Sequence, residues 1–141
     1  WIVFCTKRKQ RMIKTLLTAT VLFTAGCSSL YAADVAKGEK GFKKCKSCHS
    51  IAEGDKNKTG PNLWNIMNRG VGTNEDYKYS KKFAAWAEEN PEWTDELMDA
   101  WLTNSKKLVK GTKMMYKEKK ETKRADLIAY LHSMGEQPGE E

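Results

Sequence analysis

The sequence predicts an all-α domain of about four to five helices joined by long loops. Three observations predict it. Apolar residues recur at helical spacing in several separate stretches. Alternating strand patterns are nearly absent. The connections are long and irregular, and the apolar side chains are few for the amount of loop they must hold. A large bound apolar group would complete such a core.

Asp34 stands where a helix N-cap belongs, and the helix it opens is expected to run towards Cys48, with Gly38 and Phe42 four apart on one face. A glycine inside a helix costs about 1 kcal/mol relative to alanine, so Gly38 marks a close approach by another segment. "GDKNKTGPN", residues 54–62, is turn chemistry, and Gly70 and Gly72 mark a further loop. Ser80 opens a second helix with Phe83, Trp86 and Ala87 on one side, and Pro91 ends it. Thr94 caps a third over "DELMDAWLTN", with Leu97/Trp101 and Met98/Leu102 paired at i,i+4. "SKKLVKGTKMMYK" keeps no sustained period and is expected as loop. The last helix is expected from near Thr122, with Leu127, Ile128, Leu131 and Met134 as its apolar stripe.

The 141 residues suffice for one domain. Upstream of Asp34 the chain reads as an export signal. From Met12, the expected start, Lys14 precedes an apolar run over 16–25 and then small residues; that run is too short to span a bilayer comfortably. Cleavage is expected after Ala32. This gives an upstream extension and signal over 1–32, a domain over 33–135 and a disordered tail over 136–141. "FTAGC" also resembles a bacterial lipoprotein signal, in which Cys27 would carry the lipid anchor, although Thr24 stands where such signals have Leu or a similar aliphatic. Either way the protein is exported to the periplasm, in the second case tethered to a membrane.

Export changes the charge argument. The formal charge of +7 includes Lys7, Arg8, Lys9, Arg11 and Lys14, whereas all 18 acids lie downstream, so residues 33–141 carry a net of only +2. A nucleic-acid partner, suggested by the sequence pI of 9.2, therefore loses its support. An asymmetry remains: residues 75–99 hold eight acids and three lysines, and 104–124 hold nine basic residues and two acids. Of the four cysteines, Cys5 precedes the expected start and Cys27 lies in the signal. Cys45 and Cys48 remain, too close together to form a disulfide framework.

Those two thiols sit in "KKCKSCHSIA" with His49 directly after. A closed zinc site wants four ligands, and the domain offers no second cysteine pair and only one further histidine, His132. A dithiol oxidoreductase usually opens a helix after a strand, where the helix N-terminus lowers the thiol pKa. This pair falls late in a helix with no strand before it. Haem attachment uses all three residues: thiols at i and i+3 add to the two vinyl groups of one porphyrin, and His49 ligates the iron. Two further features suit it. "GTKMMY" offers Met114 or Met115 as a second, thioether ligand, which favours reduced iron, while Met67, Met98 and Met134 read as core fillers. "TGPNLW", residues 59–64, could supply a backbone carbonyl to orient the other imidazole nitrogen.

With "DVAKGEKGFKKCKSCHSI", "KTGPNL", Trp93, "GTKM" and "RADLIAYL" in this order, the sequence resembles the class I c-type cytochromes of the mitochondrial and purple-bacterial soluble type. The resemblance covers nearly all of 33–135. It implies the small cytochrome c fold around one covalently attached haem c, thioethers at Cys45 and Cys48, and axial ligation by His49 and Met114. It also implies that the Pro61 carbonyl accepts the His49 ring proton, and that Arg69, Tyr79, Trp93 and Thr112 bond the haem propionates or the residues that hold them. Gly38 and Phe42 would meet Leu127 and Tyr130 where the first and last helices cross. Three departures stand out: Lys110 precedes "GTKM" where the family often has proline, Trp101 replaces a frequent tyrosine near the methionine sulfur, and the Tyr79–Trp93 interval is longer than in the mitochondrial type.

The implied function is a one-electron carrier of a periplasmic respiratory or photosynthetic chain, monomeric and not an enzyme. Lys43, Lys44 and Lys46 beside the attachment motif, with Lys106, Lys107 and Lys113 beside the methionine loop, would steer acidic-faced redox proteins such as a reductase, an oxidase or a reaction centre. A haem sensor with a labile methionine, or a dedicated subunit of a larger oxidoreductase, are the alternatives. His132 reads as a solvated residue, and second as a substitute axial ligand.

Overall fold

The computed structural model describes residues 32–135. The expected signal over 1–32 lies outside the described residues apart from Ala32, as does the whole tail over 136–141. Four helices, α1 (Val35–Phe42), α2 (Lys81–Glu89), α3 (Asp95–Leu108) and α4 (Glu121–Ser133), are joined by long loops and one 3₁₀ turn at Ile66–Asn68. Among the described residues no strand forms beyond a single antiparallel bridge, Gly70 to Glu92. The all-α expectation is met.

The caps form as their chemistry dictates. Asp34, Ser80 and Thr94 each accept, through the side chain, the backbone N–H three residues on, which satisfies a donor the helix itself cannot. α1 stops at Phe42, short of the expected Cys48, and tighter turns carry the chain onward: Cys45 N donates to Phe42 O at 2.7 Å and Cys48 N to Cys45 O at 3.0 Å.

α1 crosses α4 with almost no space between backbones. A Cβ built on Gly38 would lie 2.0 Å from the Asp126 carbonyl oxygen and 2.7 Å from Tyr130 Cβ, so only glycine fits. Beside the crossing, Phe42 tilts against Tyr130 at 5.4 Å, and Asp34 N donates to Asp126 Oδ1 at 2.8 Å. Leu127 lies in the same core as Phe42 and Tyr130. At the far end of α4, Asn65 adopts a left-handed conformation (φ 53°) and donates its N–H to Met134 O at 2.6 Å.

α3 runs further than its periodicity predicts. Asn104 leaves helical geometry (φ −169°, ψ 93°), and its Oδ1 accepts the Lys107 N–H at 3.1 Å, capping a new turn through Leu108. The stretch that follows lies along α3, with Glu118 N donating to Leu102 O at 3.0 Å. Arg124 of α4 clamps this side: it grips Asp99 at 2.7 and 3.1 Å and donates to the carbonyls of Glu118 and Lys119, both at 3.1 Å. Between α2 and α3 the aromatics form one cluster, with Trp86 stacked on Trp101 at 5.8 Å and Phe83 and Trp93 packed around them. Trp101 is thus engaged with aromatic rings in the core.

Candidate functional site

The turn after α1 presents the motif. Cys45 is half-buried, Cys48 is exposed, and both thiols are free. Burial, with Cys48 adding to it, pushes the Cys45 thiol up to about 11, the opposite of the low value a redox-active dithiol needs. Among the described residues no group of three or more His, Cys, Asp or Glu is placed to hold a metal ion. The zinc and dithiol chemistries therefore find no support in the geometry.

His49 is buried, and its Nδ1 lies 2.7 Å from the Pro61 carbonyl. That carbonyl can only accept, so Nδ1 carries the proton and Nε2 is the nitrogen that offers a lone pair. Burial lowers the His49 pKa, partly offset by the Pro61 contact, and so favours the neutral ring a metal requires. The ring rests on Gly60, where a Cβ would come within 2.3 Å of Cε1. The Gly60 N–H is tied back to Cys48 O at 2.7 Å. Gly60 is a site residue quoted in "TGPNLW" without a role; a Gly-Pro pair eleven and twelve residues past the histidine is the signal that could have found it.

Met114 packs against the core, whereas Met115 is 75% exposed. The Met114 N–H reaches Thr112 Oγ1 at 3.4 Å, and Thr112 is buried. The buried Ser105 hydroxyl, at the α3 kink, lies 3.1 Å from Met114 O and 3.2 Å from Tyr116 O, so the helix extension that periodicity missed pins the methionine loop. Tyr116 is half-buried and near Cys45, and burial pushes its phenol up to about 12.

Arg69 donates to the carbonyl of Asn62, and burial lowers its pKa against the favourable nearby phenol of Tyr79. Tyr79 stacks on Phe83 at 5.1 Å. Trp93 is buried, and its Nε1–H has no hydrogen-bond partner among the described residues. His132 stands partly exposed with Nε2 at 2.6 Å from Asp95 Oδ1, so a surface carboxylate engages the second histidine.

These observations test whether a haem suits the residues present. Among the described residues nothing accepts the buried Trp93 indole N–H, a donor that a haem carboxylate would satisfy. Gly60 shapes a seat for an imidazole whose outer nitrogen is tied off. Two thiols, one imidazole and a core-facing thioether make a donor set matched to iron in a porphyrin. The residues fit the group. The family model that matches residues 35–135 is that of cytochrome c.

The chain belongs to the cytochrome c family. It is 42% identical over 99 residues to a cytochrome c2 of Agrobacterium tumefaciens, covering 70% of this chain and 89% of that one. It is 37% identical over 120 residues to the cytochrome c2 of Blastochloris viridis, covering 84% and 92%. It is also 41% identical over 102 residues to the cytochrome c of the plant Nigella damascena, covering 71% and 89%. Cytochromes c bind one covalently attached haem c and carry electrons between redox partners; they are not enzymes. No described helix is long and apolar enough to cross a membrane.

Proposed function

We propose that residues 33–135 act as a periplasmic one-electron carrier, with thioether bonds to haem at Cys45 and Cys48 and the iron held between His49 and Met114. The observation that carries this reading is the His49–Pro61 contact at 2.7 Å, which leaves Nε2 as the ligating nitrogen. When bound, the haem supplies the one-electron iron couple. Met114, held in its loop by Thr112 and Ser105, would supply the second ligand to the iron, so that the chain itself would close the metal to substrate. The Trp93 indole N–H, the Arg69 guanidinium, Tyr79 and Thr112 would hold the propionates or the groups around them.

Lys43, Lys44, Lys46, Lys106, Lys107 and Lys113 are exposed and steer an acidic-faced reductase, oxidase or reaction centre. Long-range attraction of this kind speeds encounter without tightening the complex, which a carrier requires. The carrier works as a monomer, free after signal cleavage or tethered through Cys27.

Visible spectra of the exported protein and of two variants test the ligation. The oxidised protein should show the weak long-wavelength sulfur–iron band, lost in Met114→Ala and kept in Met115→Ala. Loss in Met115→Ala alone would reassign the ligand. Ready binding of carbon monoxide by the reduced wild-type protein at neutral pH would refute a carrier with both axial sites filled.

A further inference from the structure

The loop that carries Pro61 is fastened by amide side chains that the contacts above leave without a task. Asn57 Oδ1 accepts the backbone N–H of Asn62 at 2.7 Å and the side-chain amide of Asn74 at 3.0 Å. The Asn57 amide nitrogen donates to Asn74 Oδ1 at 3.3 Å. A backbone N–H can only donate, which fixes the end of the Asn57 amide that faces Asn62. The Asn62 N–H and the Pro61 carbonyl belong to one planar peptide unit, and that carbonyl is the acceptor of the His49 ring proton at 2.7 Å. Asn57 and His49 therefore hold opposite ends of a single peptide.

We infer that Asn57 is a positioning residue that tunes His49 through the Pro61–Asn62 peptide. The inference rests on the iron ligation by His49 proposed above. Donation by the Asn62 N–H to Asn57 shifts charge through the amide onto the Pro61 oxygen, and hydrogen bonds in series strengthen one another by roughly 10–30% per bond. A stronger acceptor at Nδ1 makes Nε2 more basic, and a more basic ligand favours oxidised iron. The rest of the peptide's setting does not depend on Asn57. Asn62 is buried, its Nδ2 donates to the carbonyls of Ala52 and Asp55 at 2.8 Å each, and its Oδ1 accepts the Trp64 N–H at 2.7 Å. Removing Asn57 should thus change polarisation more than geometry. A leucine in its place has room, because Asn57, Asn62, Arg69 and Asn74 line a cleft of about 530 Å³.

The experiment is a redox titration of the haem-loaded protein and its Asn57→Leu, Asn57→Asp and Asn74→Leu variants. The His49 Nδ1 proton is followed by NMR in the reduced, diamagnetic state. Asn57→Leu should raise the reduced-to-oxidised ratio at fixed ambient potential at least twofold, about 18 mV at 59 mV per tenfold, and move the Nδ1 proton upfield. Asn74→Leu keeps the Asn62 N–H bond and should leave that resonance nearly in place. Asn57→Asp offers the stronger acceptor and should bring the resonance to the wild-type position or further downfield, which keeps the inference testable even where leucine is not tolerated. A merely structural role has the opposite sign, because a loosened loop admits water, favours the more highly charged oxidised iron and lowers the potential. A lowered or unchanged potential in Asn57→Leu overturns the inference. So does an upfield shift in Asn57→Asp, or equal shifts in Asn57→Leu and Asn74→Leu. Absence of an iron-bound imidazole in the wild-type spectrum would refute the ligation itself, before any variant is compared.

Discussion

Replacing Gly38 by alanine sets two effects of opposite sign against each other. Helix propensity favours alanine by about 1 kcal/mol. Against this, the new methyl would lie 2.0 Å from the Asp126 carbonyl oxygen and 2.7 Å from both that carbonyl's carbon and Tyr130 Cβ. Two of these three contacts are with backbone, so no rotamer change relieves them. α1 must retreat from α4 by more than an ångström. A gap of that size forfeits about a quarter to a half of the attraction across it, which for the buried Phe42–Tyr130 contact is roughly 0.4–1.5 kcal/mol of the 1.5–3 kcal/mol an aromatic gains on burial. The Asp34–Asp126 hydrogen bond stretches with it, at about 1 kcal/mol. With the hydrogen-bond loss and the propensity gain offsetting each other, the net expectation is a loss of about 0.4–1.5 kcal/mol. Denaturant unfolding at unchanged slope measures it. Gly41, in the same helix with nothing within 4 Å of its Cβ position, is the internal control, and Gly41→Ala should stabilise by up to about 1 kcal/mol. If Gly38→Ala stabilises as Gly41→Ala does, the helices do not cross where the structure puts them.

Three further outcomes follow from the same geometry. Trp93→Phe keeps a ring in the aromatic cluster but removes the Nε1–H that no described residue accepts; if a haem carboxylate is its partner, the haem-loaded variant should lose about 1.5–3 kcal/mol in denaturant unfolding, and unchanged stability would refute that role. Ser105→Ala removes the hydroxyl at 3.1 Å from Met114 O, so imidazole should displace the methionine several-fold faster in stopped-flow mixing; wild-type kinetics would show that the kink does not hold the loop. The Asp34 carboxyl is held below its ordinary value, chiefly by the Lys37 N–H it caps, so its contribution is complete above about 3.8 and fades as pH falls through the lower folded value. Asp34→Asn keeps a cap without titrating; its stability deficit against wild type near pH 6 should shrink towards pH 2.5, and a constant deficit would rule out the linkage.

What the sequence by itself determined is local. Caps at Asp34, Ser80 and Thr94 were readable because a cap needs only a side-chain oxygen and a donor three residues on. The haem motif was readable because two thiols and an imidazole must be contiguous to meet one porphyrin edge and its iron. Gly38 announced a close approach through its helical cost, without naming the Asp126 backbone as the neighbour. What only the tertiary structure decided depends on segments far apart in the chain. α3 continues past Asn104 because a side chain restarts it, against no apolar period, and the Ser105 turn is held by the Tyr116 carbonyl eleven residues on. α1 ends at Phe42 because the following carbonyls are spent on tighter turns that aim Cys45, Cys48 and His49. Met114 and Met115 are chemically alike, and although the "GTKM" resemblance singles out Met114, it is packing that puts its thioether against the core and leaves Met115 in water. Gly60 beneath the imidazole, and Asn57 behind the peptide that holds it, look like ordinary turn residues until the loop closes on itself. Their roles arise from contacts that do not exist until the chain has folded.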